Sequence, residues 1–308
     1  MTIESLDKRT FQVLVAHLTP LVARGRPKIT APQGQPRPGA NGPPVQLPFY
    51  RVDAFTRRAF GGNPAAVVPL ESWLDDSLLQ AIAAEENLPA TAFVAPDGDE
   101  LRLRWFAPAS ELELCGHATL ATSHVLFNRL YPDRERLAFV SGAGRLEARR
   151  DGTRVALDFP ALPVQRERAP EEVGAAIGVA PIEVWEAAGG RGLAVLADAA
   201  EVRDLRPNVA ALTALPFSAL IVTARGFDGD CDFVSRYFAP KHGIAEDFVT
   251  GSAHCVLTPY WAGVLAKPRL FARQLSSRGG ELWVEACDDR VRIAGECVPT
   301  AEGTLLIP

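Results

Sequence analysis

A carboxylate stands shortly before the glycine-containing start of a helix in Arg236–Leu257, RYFAPKHGIAEDFVTGSAHCVL. Thr250 and Ser252 are candidate N-cap residues, because apolar residues at helical spacing follow them. The unbonded N–H groups and the positive end of such a helix favour an anion, so a carboxylate ligand suits Gly251 and its neighbours. Asp247 is a candidate to carry a proton beside that anion. An ordinary capped helix after a turn is the competing interpretation.

A second stretch, ELELCGHATL, has the same plan of a strand, a glycine and a helix start. LCGHATLA and VTGSAHCVL therefore form a weak internal repeat, and two facing helix starts would hold one small anion from both sides. His117 follows Gly116, and a helix N-terminus disfavours imidazolium, so a neutral histidine that passes one proton is a hypothesis here. A histidine bonded to a loop carbonyl is the structural alternative.

Short apolar runs bounded by glycine, proline or charged turns predict many strands around these two helices. One long helix in each half among many strands indicates an α+β fold with two similar halves. A length of 308 residues suits two domains. We expect an N-terminal domain over 48–159 and a C-terminal domain over 160–296. Residues from about 297 to 308 are a candidate to return to the first domain.

Four motifs carry a resemblance to a known family, and they occur in the family's order. They are VDAFTRRAFGGNPAAVV (Val52–Val68), RWFAPASELELCGHATLA (Arg104–Ala121), SRYFAPKHGIAEDFVTGSAH (Ser235–His254) and SSRGGEL (Ser276–Leu282). From about Leu47 to Ile307 the chain resembles the PhzF-like proteins of phenazine-biosynthesis type, a branch of the diaminopimelate epimerase superfamily. The resemblance implies that each domain wraps a curved mixed sheet around a central helix, with the active site between the domains. It also implies a homodimer.

The resemblance assigns roles to residues at matching positions. His117, Asp247 and Ser252 match positions that face the substrate and assist proton movement. Three further residues, Gly116, Thr250 and Gly251, match the loops that hold the acid group of the substrate. Asn63 matches the family's GNP turn, where it supports the cleft; plain turn chemistry is the alternative.

One departure from the family pattern concerns the proton shuttle. PhzF-type enzymes use a glutamate in a segment that usually resembles NLSET, and this chain has NLPAT, with Ala90 at the glutamate position. A methyl group carries no proton, so the namesake chemistry is in doubt. In the epimerase branch two cysteines remove and deliver the substrate proton. Cys115 matches the position of the first cysteine, but Thr250 stands at the position of the second. Cys115 as a one-sided base with a lowered pKa competes with Cys115 as a small buried residue.

Composition excludes several function classes. The net charge of −5 is spread along the chain, so we expect neither nucleic acid nor an anionic membrane as a partner. No apolar run approaches the ~20 residues that span a bilayer. Five cysteines, an odd number without CxxC spacing, favour a reducing cytosol and argue against a disulfide frame or a zinc site. We expect a cytoplasmic protein without metal or cofactor.

Residues 1–47 fall outside the family pattern. Residues 5–25 have the spacing of a short amphipathic helix, and residues 26–48 carry seven prolines, which predicts a disordered linker. The segment lacks the charged start and continuous apolar core of a signal peptide. We interpret 1–47 as a disordered N-terminal extension.

Three functional hypotheses follow. The first is a cofactor-independent isomerase or epimerase that moves a proton on a small carboxylate, with Asp247 and His117 as proton carriers. The second is a small-acid-binding or scaffold protein that lost catalysis with the glutamate replaced by Ala90. The third keeps an enzyme but makes Cys115 the base.

Overall fold

The apolar runs join into one continuous mixed sheet in the computed structural model, which describes residues 44–227 and 229–307. In chain order the strands are Val45–Ala54 (β1), Asn63–Pro69 (β2), Ala90–Asp97 (β3), Glu100–Phe106 (β4), Glu111–Leu112 (β5), Arg136–Ser141 (β6), Gly144–Asp151 (β7), Arg154–Pro160 (β8), Val164–Arg168 (β9), Glu183–Ala187 (β10), Arg191–Val195 (β11), Ala219–Arg225 (β12), Phe233–Ala239 (β13), Ile244–Asp247 (β14), Arg269–Gln274 (β15), Gly280–Cys287 (β16), Arg290–Gly295 (β17) and Cys297–Ile307 (β18).

The helices are fewer than the strands. They are Asp76–Glu86 (α1), Gly116–Val125 (α2), Glu171–Ile177 (α3), Ala199–Asp204 (α4), Val209–Ala214 (α5) and Gly251–Leu265 (α6), with a π-helical turn at Leu126–Leu130 and a 3-10 turn at Pro240–His242. The few helices among many strands confirm the predicted α+β class.

The sheet follows the order β18, β1, β2, β3, β4, β6, β7 and β8, and then continues through β17, β16, β15, β13, β12, β11, β10 and β9. The antiparallel pair β8–β17 joins the strands that precede residue 160 to later ones. The division into two domains at 159/160 stays a prediction.

Helices α2 and α6 are the long buried helices that the sequence placed behind the two glycines. Helix α2 packs on β1, β2, β3 and β8, and α6 packs on β15, β16 and β17. Helix α2 can bury polar residues because their hydroxyl groups are hydrogen-bonded within the helix. Thr119, Thr122 and Ser123 each donate to the carbonyl four residues earlier, at 2.7–2.8 Å. Helix α2 therefore buries nearly all of its faces, and α6 is buried from Ala253 to Thr258.

A proline inside α6 is compensated by the segment that follows β8. Pro259 has no N–H to give to the carbonyl of Cys255, four residues earlier. The N–H of Leu162 donates to that carbonyl instead, at 2.9 Å. The segment that follows β8 thus satisfies the acceptor that the proline leaves open.

Strand β1 begins earlier than the predicted boundary of the extension. Residues 45–47 were assigned from the sequence to the extension, but Val45 pairs with Ile307 and Leu47 pairs with Leu305 at the end of β18. Leu47 is 7% exposed and packs in a small core with α1. The fold thus includes residues 45–47 because they bury apolar surface against the C-terminal strand. The disorder predicted for the extension up to residue 43 lies outside the described residues.

Deletion of residues 1–44 is expected to leave the melting temperature nearly unchanged, because a proline-rich segment packs poorly and β1 stays whole. Deletion of residues 1–49 is the control. It removes the buried Leu47 and half of the β1–β18 ladder, so the melting temperature should fall by several degrees. Thermal unfolding followed by circular dichroism measures both. A drop of several degrees for the shorter deletion would show that the extension packs on the fold.

Candidate active site

The two helix starts that the sequence paired lie in contact. A Cβ atom added to Gly116 would lie 3.6 Å from the Cα of Gly251, and one added to Gly251 would lie 3.7 Å from the Cα of Gly116. The first N–H groups of each helix precede its first intrahelical hydrogen bond. Two positive helix ends therefore meet at one place, which suits a small anion.

Asp247 lies at the end of β14, shortly before α6, and two donors fix its carboxylate. Asn63 donates from Nδ2 to Oδ1 of Asp247 at 2.8 Å, and Thr250 donates from Oγ1 to Oδ2 at 2.6 Å. Asn63 Nδ2 also donates to the carbonyl of Val249 at 2.9 Å. Three sequence-predicted residues thus form one hydrogen-bonded group, in which each carboxylate oxygen of Asp247 accepts one hydrogen bond.

Burial changes the protonation of this carboxylate. Desolvation raises the pKa of Asp247, while the hydrogen bonds from Thr250, Asn63 and the N–H of Phe248 lower it. Desolvation is the largest influence, so the net pKa lies above the ordinary value for aspartate. A carboxylate whose pKa moves toward neutrality is better suited to take and return a proton.

His117 stands in the first turn of α2 and is 8% exposed. Burial lowers the pKa of His117 to about 4, so the imidazole is neutral near pH 7. The sequence predicted a neutral ring from the helix N-terminus; desolvation is the cause here. Its Nδ1 lies 3.4 Å from Sγ of Cys115.

Cys115 precedes α2 and is 7% exposed. The lowered thiol pKa that the sequence hypothesis requires is not found, since burial, with a smaller contribution from nearby Asp247, raises the pKa of Cys115 to about 12. The N–H groups of Ala118 and His117 act in the opposite direction but are outweighed. The thiol is therefore protonated near pH 7, which disfavours Cys115 as a base.

Gln274 is a site residue that sequence reasoning missed. It is 1% exposed at the end of β15, its Oε1 accepts from the N–H of Thr250 at 2.8 Å, and its Nε2 donates to the carbonyl of Asp247 at 2.9 Å. Ser276 donates to the carbonyl of Phe248 at 2.6 Å. The Thr250 N–H is thus engaged within the protein. Of the predicted anion donors in this loop, Gly251 and Ser252 stay candidates.

Arg278, in the SSRGGEL motif, has two possible roles, binding a carboxylate ligand or bracing a turn. Its guanidinium donates to the carbonyls of Gly61 and Gly62, each at 2.8 Å, and to Oδ1 of Asp53 at 2.7 Å. Arg278 therefore braces the turn that leads into Asn63. Asp53, which is 2% exposed, was not singled out from the sequence.

Ala90 begins β3 and is fully buried. It lies opposite Ala65 in the parallel pair β2–β3, and both pack in the core that contains Cys115 and α2. Because residues two apart on a strand share a face, Asn63 lies on the same face as Ala65. The methyl group that replaces the family's glutamate thus stands at the site end of the sheet.

The stability of the fold is expected to fall between pH 7 and pH 5. Burial lowers the pKa of His117 and of His254 to about 4, below the ordinary 6.5. Below pH 6.5 the unfolded chain therefore binds protons that the folded chain does not. The loss approaches about 1.4 kcal/mol per pH unit for each histidine until the folded rings protonate. The raised pKa of Asp247 works in the opposite direction.

Urea unfolding at pH 7 and pH 5 measures this loss. In His254→Gln the difference between the two pH values should shrink, because one buried imidazole is gone. In the control His242→Gln the difference should persist, because His242 is exposed. Equal stability of the wild type at both pH values would contradict the assignment of two neutral, buried histidines.

The fold and the two paired helix starts identify the structural class of the protein. A predicted epimerase from Pseudomonas aeruginosa superposes with a TM-score of 0.69 at 22% identity, covering 85% of this chain and 100% of that one. This likeness shows the fold alone. The structure is an α+β protein of the epimerase-like class, as the resemblance implied.

The chain belongs to the phenazine biosynthesis-like (PhzC–PhzF) family, whose model matches residues 52–303. An uncharacterized isomerase of Pseudomonas aeruginosa is 49% identical over 85% of this chain and 99% of its own length. A PhzF-family crystal structure from Enterococcus faecalis has a TM-score of 0.82 at 43% identity, over 85% and 99% of the two chains. The predicted family is confirmed, and relatives named isomerases support an isomerase or epimerase. No helix in the described part of the chain is long and apolar enough to cross a membrane.

Proposed function

We propose that this protein is a cofactor-independent isomerase or epimerase that moves a proton on a small carboxylate. The observation that carries the proposal is the half-buried carboxylate of Asp247, fixed by Asn63 and Thr250 beside two helix starts in contact. A raised pKa and a fixed orientation are what a general base near neutral pH needs.

The acid group of the substrate binds where α2 and α6 begin. The N–H groups of Gly116 and His117 on one helix, and of Gly251 and Ser252 on the other, are the donors for its two oxygens. These donors and the two helix dipoles stabilise the negative charge that develops on the acid group during proton removal. The substrate is small because Gly116 and Gly251 lie in van der Waals contact, so the space beside the two helix starts is narrow.

The proton moves in two steps that leave the substrate at the same oxidation level. Asp247 takes a proton from a carbon near the bound acid group, and the electron pair of that C–H bond delocalises toward the acid group. Protonated Asp247 then returns the proton to a neighbouring carbon, which isomerises the substrate. Epimerisation instead needs a proton delivered to the same carbon from the opposite face. His117, neutral and buried, accepts or passes a proton on the other side of the intermediate.

A binding protein without catalysis is the second candidate, and the observation that favours it is Ala90. The buried methyl group at the family's glutamate position offers no second carboxylate on β3. The Asp247 network argues against this alternative, because binding an anion gives no reason to hold a carboxylate beside it. The third candidate, Cys115 as base, is disfavoured by the raised thiol pKa.

A screen of small amino and hydroxy acids in D2O tests the proposal. Enzyme-dependent deuterium incorporation at carbon, followed by proton NMR, is the expected result for at least one acid. Heat-denatured protein is the control for solvent exchange. If an acid binds tightly but none of the acids exchanges, the binding-protein function is supported and the isomerase is contradicted.

We also propose a cytoplasmic homodimer. β18 pairs with β1, and the second side of β18 has no strand partner among the described residues. An open strand edge of this length requires cover. Light scattering at micromolar concentration should give twice the chain mass of 33.1 kDa. A mass of one chain would contradict the dimer.

A further inference from the structure

Residues 247–250, called here the carboxylate loop, rest on the end of the β15–β16 hairpin. Gln274, the last residue of β15, donates from Nε2 to the carbonyl of Asp247 at 2.9 Å. Its Oε1 accepts from the N–H of Thr250 at 2.8 Å. One buried side chain thus holds both ends of the carboxylate loop. Its two bonds fix where the carboxylate of Asp247 stands relative to the start of α6.

The middle of the carboxylate loop is held by two further residues of that hairpin. Ser276 donates to the carbonyl of Phe248 at 2.6 Å. Gly280 lies opposite Gln274, and a Cβ atom at that glycine would stand 2.3 Å from Cγ2 of Val249. The absence of a side chain at Gly280 therefore makes room for Val249. Each residue of the carboxylate loop has a contact with the hairpin, which fixes the conformation of the loop.

The orientation of the Gln274 amide is determined by its partners. Its oxygen faces a donor, the N–H of Thr250, and its nitrogen faces an acceptor, the carbonyl of Asp247. Turning the amide over would set nitrogen against N–H and oxygen against oxygen, so both bonds would be lost. Nε2 therefore has a second hydrogen to donate, and Oγ1 of Thr250 accepts it at 3.3 Å.

This contact gives the hydroxyl of Thr250 a direction. A hydroxyl oxygen that accepts from an amide still has its own hydrogen to donate, and Oδ2 of Asp247 lies 2.6 Å away. Threonine hydroxyls often donate instead to a carbonyl three or four residues earlier, but the carbonyl of Asp247 already accepts from Gln274. The three side chains thus form a relay of hydrogen bonds that runs from Gln274 through Thr250 to the carboxylate.

We propose that Gln274 is a positioning residue for proton transfer, which fixes the hydroxyl of Thr250 as a donor to the carboxylate of Asp247. This inference rests on the proposed function, since Asp247 is the group that takes the proton there. A donor to the ionised form of a carboxyl stabilises that form. The relay therefore offsets part of the desolvation of Asp247 and keeps it able to accept a proton near pH 7.

Other charged and titratable groups also surround this carboxylate. They are Glu246 on β14, Arg236 and Tyr237 on β13, Cys115 and His117 at the start of α2, and His254 in α6. Glutamine and methionine are both uncharged, so replacing Gln274 by methionine changes none of these charges. A change in the titration of Asp247 in that variant therefore reports on the relay.

The experiment is a titration of the full chain labelled with ¹³C at its aspartate carboxyl groups, followed by NMR. The signal lost in Asp247→Asn is that of Asp247. In Gln274→Met its titration midpoint should rise by roughly one pH unit, because the hydroxyl is no longer directed at the carboxylate. Thr250→Val removes the hydroxyl and should raise the midpoint at least as far. The pH of half-maximal deuterium exchange should rise with the midpoint in both variants.

Gln274→Met in the Thr250→Val background separates positioning from a general loss of structure. Without the hydroxyl, the second change should move the midpoint no further, so the two effects are not additive. Gln80→Met is the matched control, because this glutamine also donates from Nε2 to two carbonyls, those of Ala107 and Pro108, at 2.9 and 3.1 Å. It should leave the midpoint of the carboxylate unchanged.

If Gln274→Met does not fold, Gln274→Glu gives the second test. A glutamate still accepts from the N–H of Thr250 but has no N–H for the hydroxyl. The shift that its charge causes persists in the Thr250→Val background, and the part that disappears there belongs to the relay.

An unchanged midpoint in Gln274→Met, or an equal rise with and without the Thr250 hydroxyl, would overturn the positioning role and leave the proposed function standing. An exchange profile that stays in place while the midpoint moves would overturn it as well. Absence of exchange by every acid in the D2O screen would instead contradict the proposed function, and with it any role of Gln274 in proton transfer.

Discussion

Asp247→Asn is expected to lower the rate of deuterium exchange into the substrate by about 10²–10⁴-fold, the usual value of a general acid–base group. The amide has the shape of the carboxylate but carries no proton between carbons. The fold should persist. Oδ1 of the new amide can still accept from Asn63, and the Thr250 hydroxyl can turn to accept from the new nitrogen.

The measurement is proton NMR of whichever acid the wild type exchanges, with circular dichroism to check folding. Asp289→Asn is the matched control, because it makes the same chemical change in an exposed turn. Its rate should equal that of the wild type. If Asp247→Asn and His117→Ala both exchange at the wild-type rate, the assignment of proton transfer to these residues fails.

Ala90→Glu is expected to create or raise exchange by a similar factor of about 10²–10⁴. Ala90 is fully buried, on the sheet face that carries Asn63. A glutamate there would be desolvated, on the sheet face of the Asn63 that holds the Asp247 carboxylate. Desolvation raises its pKa toward the range where a carboxyl passes protons at neutral pH. The larger side chain costs about 1–3 kcal/mol of stability if the surrounding core does not yield.

Ala90→Gln is the matched control for that gain. It adds a side chain of the same size that cannot carry a proton, so exchange should stay at the wild-type level. Equal gains in both variants would attribute the effect to packing. No gain in Ala90→Glu, in a variant that still folds and binds the acid, would show that position 90 does not reach the reacting carbon.

Local sequence was sufficient for the elements that build the site. A strand, a glycine and an apolar helical pattern recur at Gly116 and Gly251, and both helices begin at these residues. Caps and helical spacing depend on neighbours within about one turn, so a single sequence contains them. The four motifs likewise identified the family before any coordinate, and with it the α+β class.

Long-range pairing was beyond the sequence. Arg278 contacts Asp53 across 225 positions, and it braces the turn that leads into Asn63, a role that its place in the SSRGGEL motif does not show. Gln274 stands in no motif, because a glutamine in a strand has no spacing that signals a buried hydrogen-bond hub. Only strand register and packing bring it under Thr250.

The sequence by itself determined which residues begin the two helices, which family the chain belongs to and that Ala90 replaces a glutamate. The tertiary structure alone decided the electrostatics. A helix N-terminus lowers a thiol pKa and burial raises it, and the sequence shows only the first of these influences on Cys115. Burial depends on atoms from distant strands, so the protonated Cys115, the neutral His117 and the proton affinity of Asp247 follow from the assembled fold.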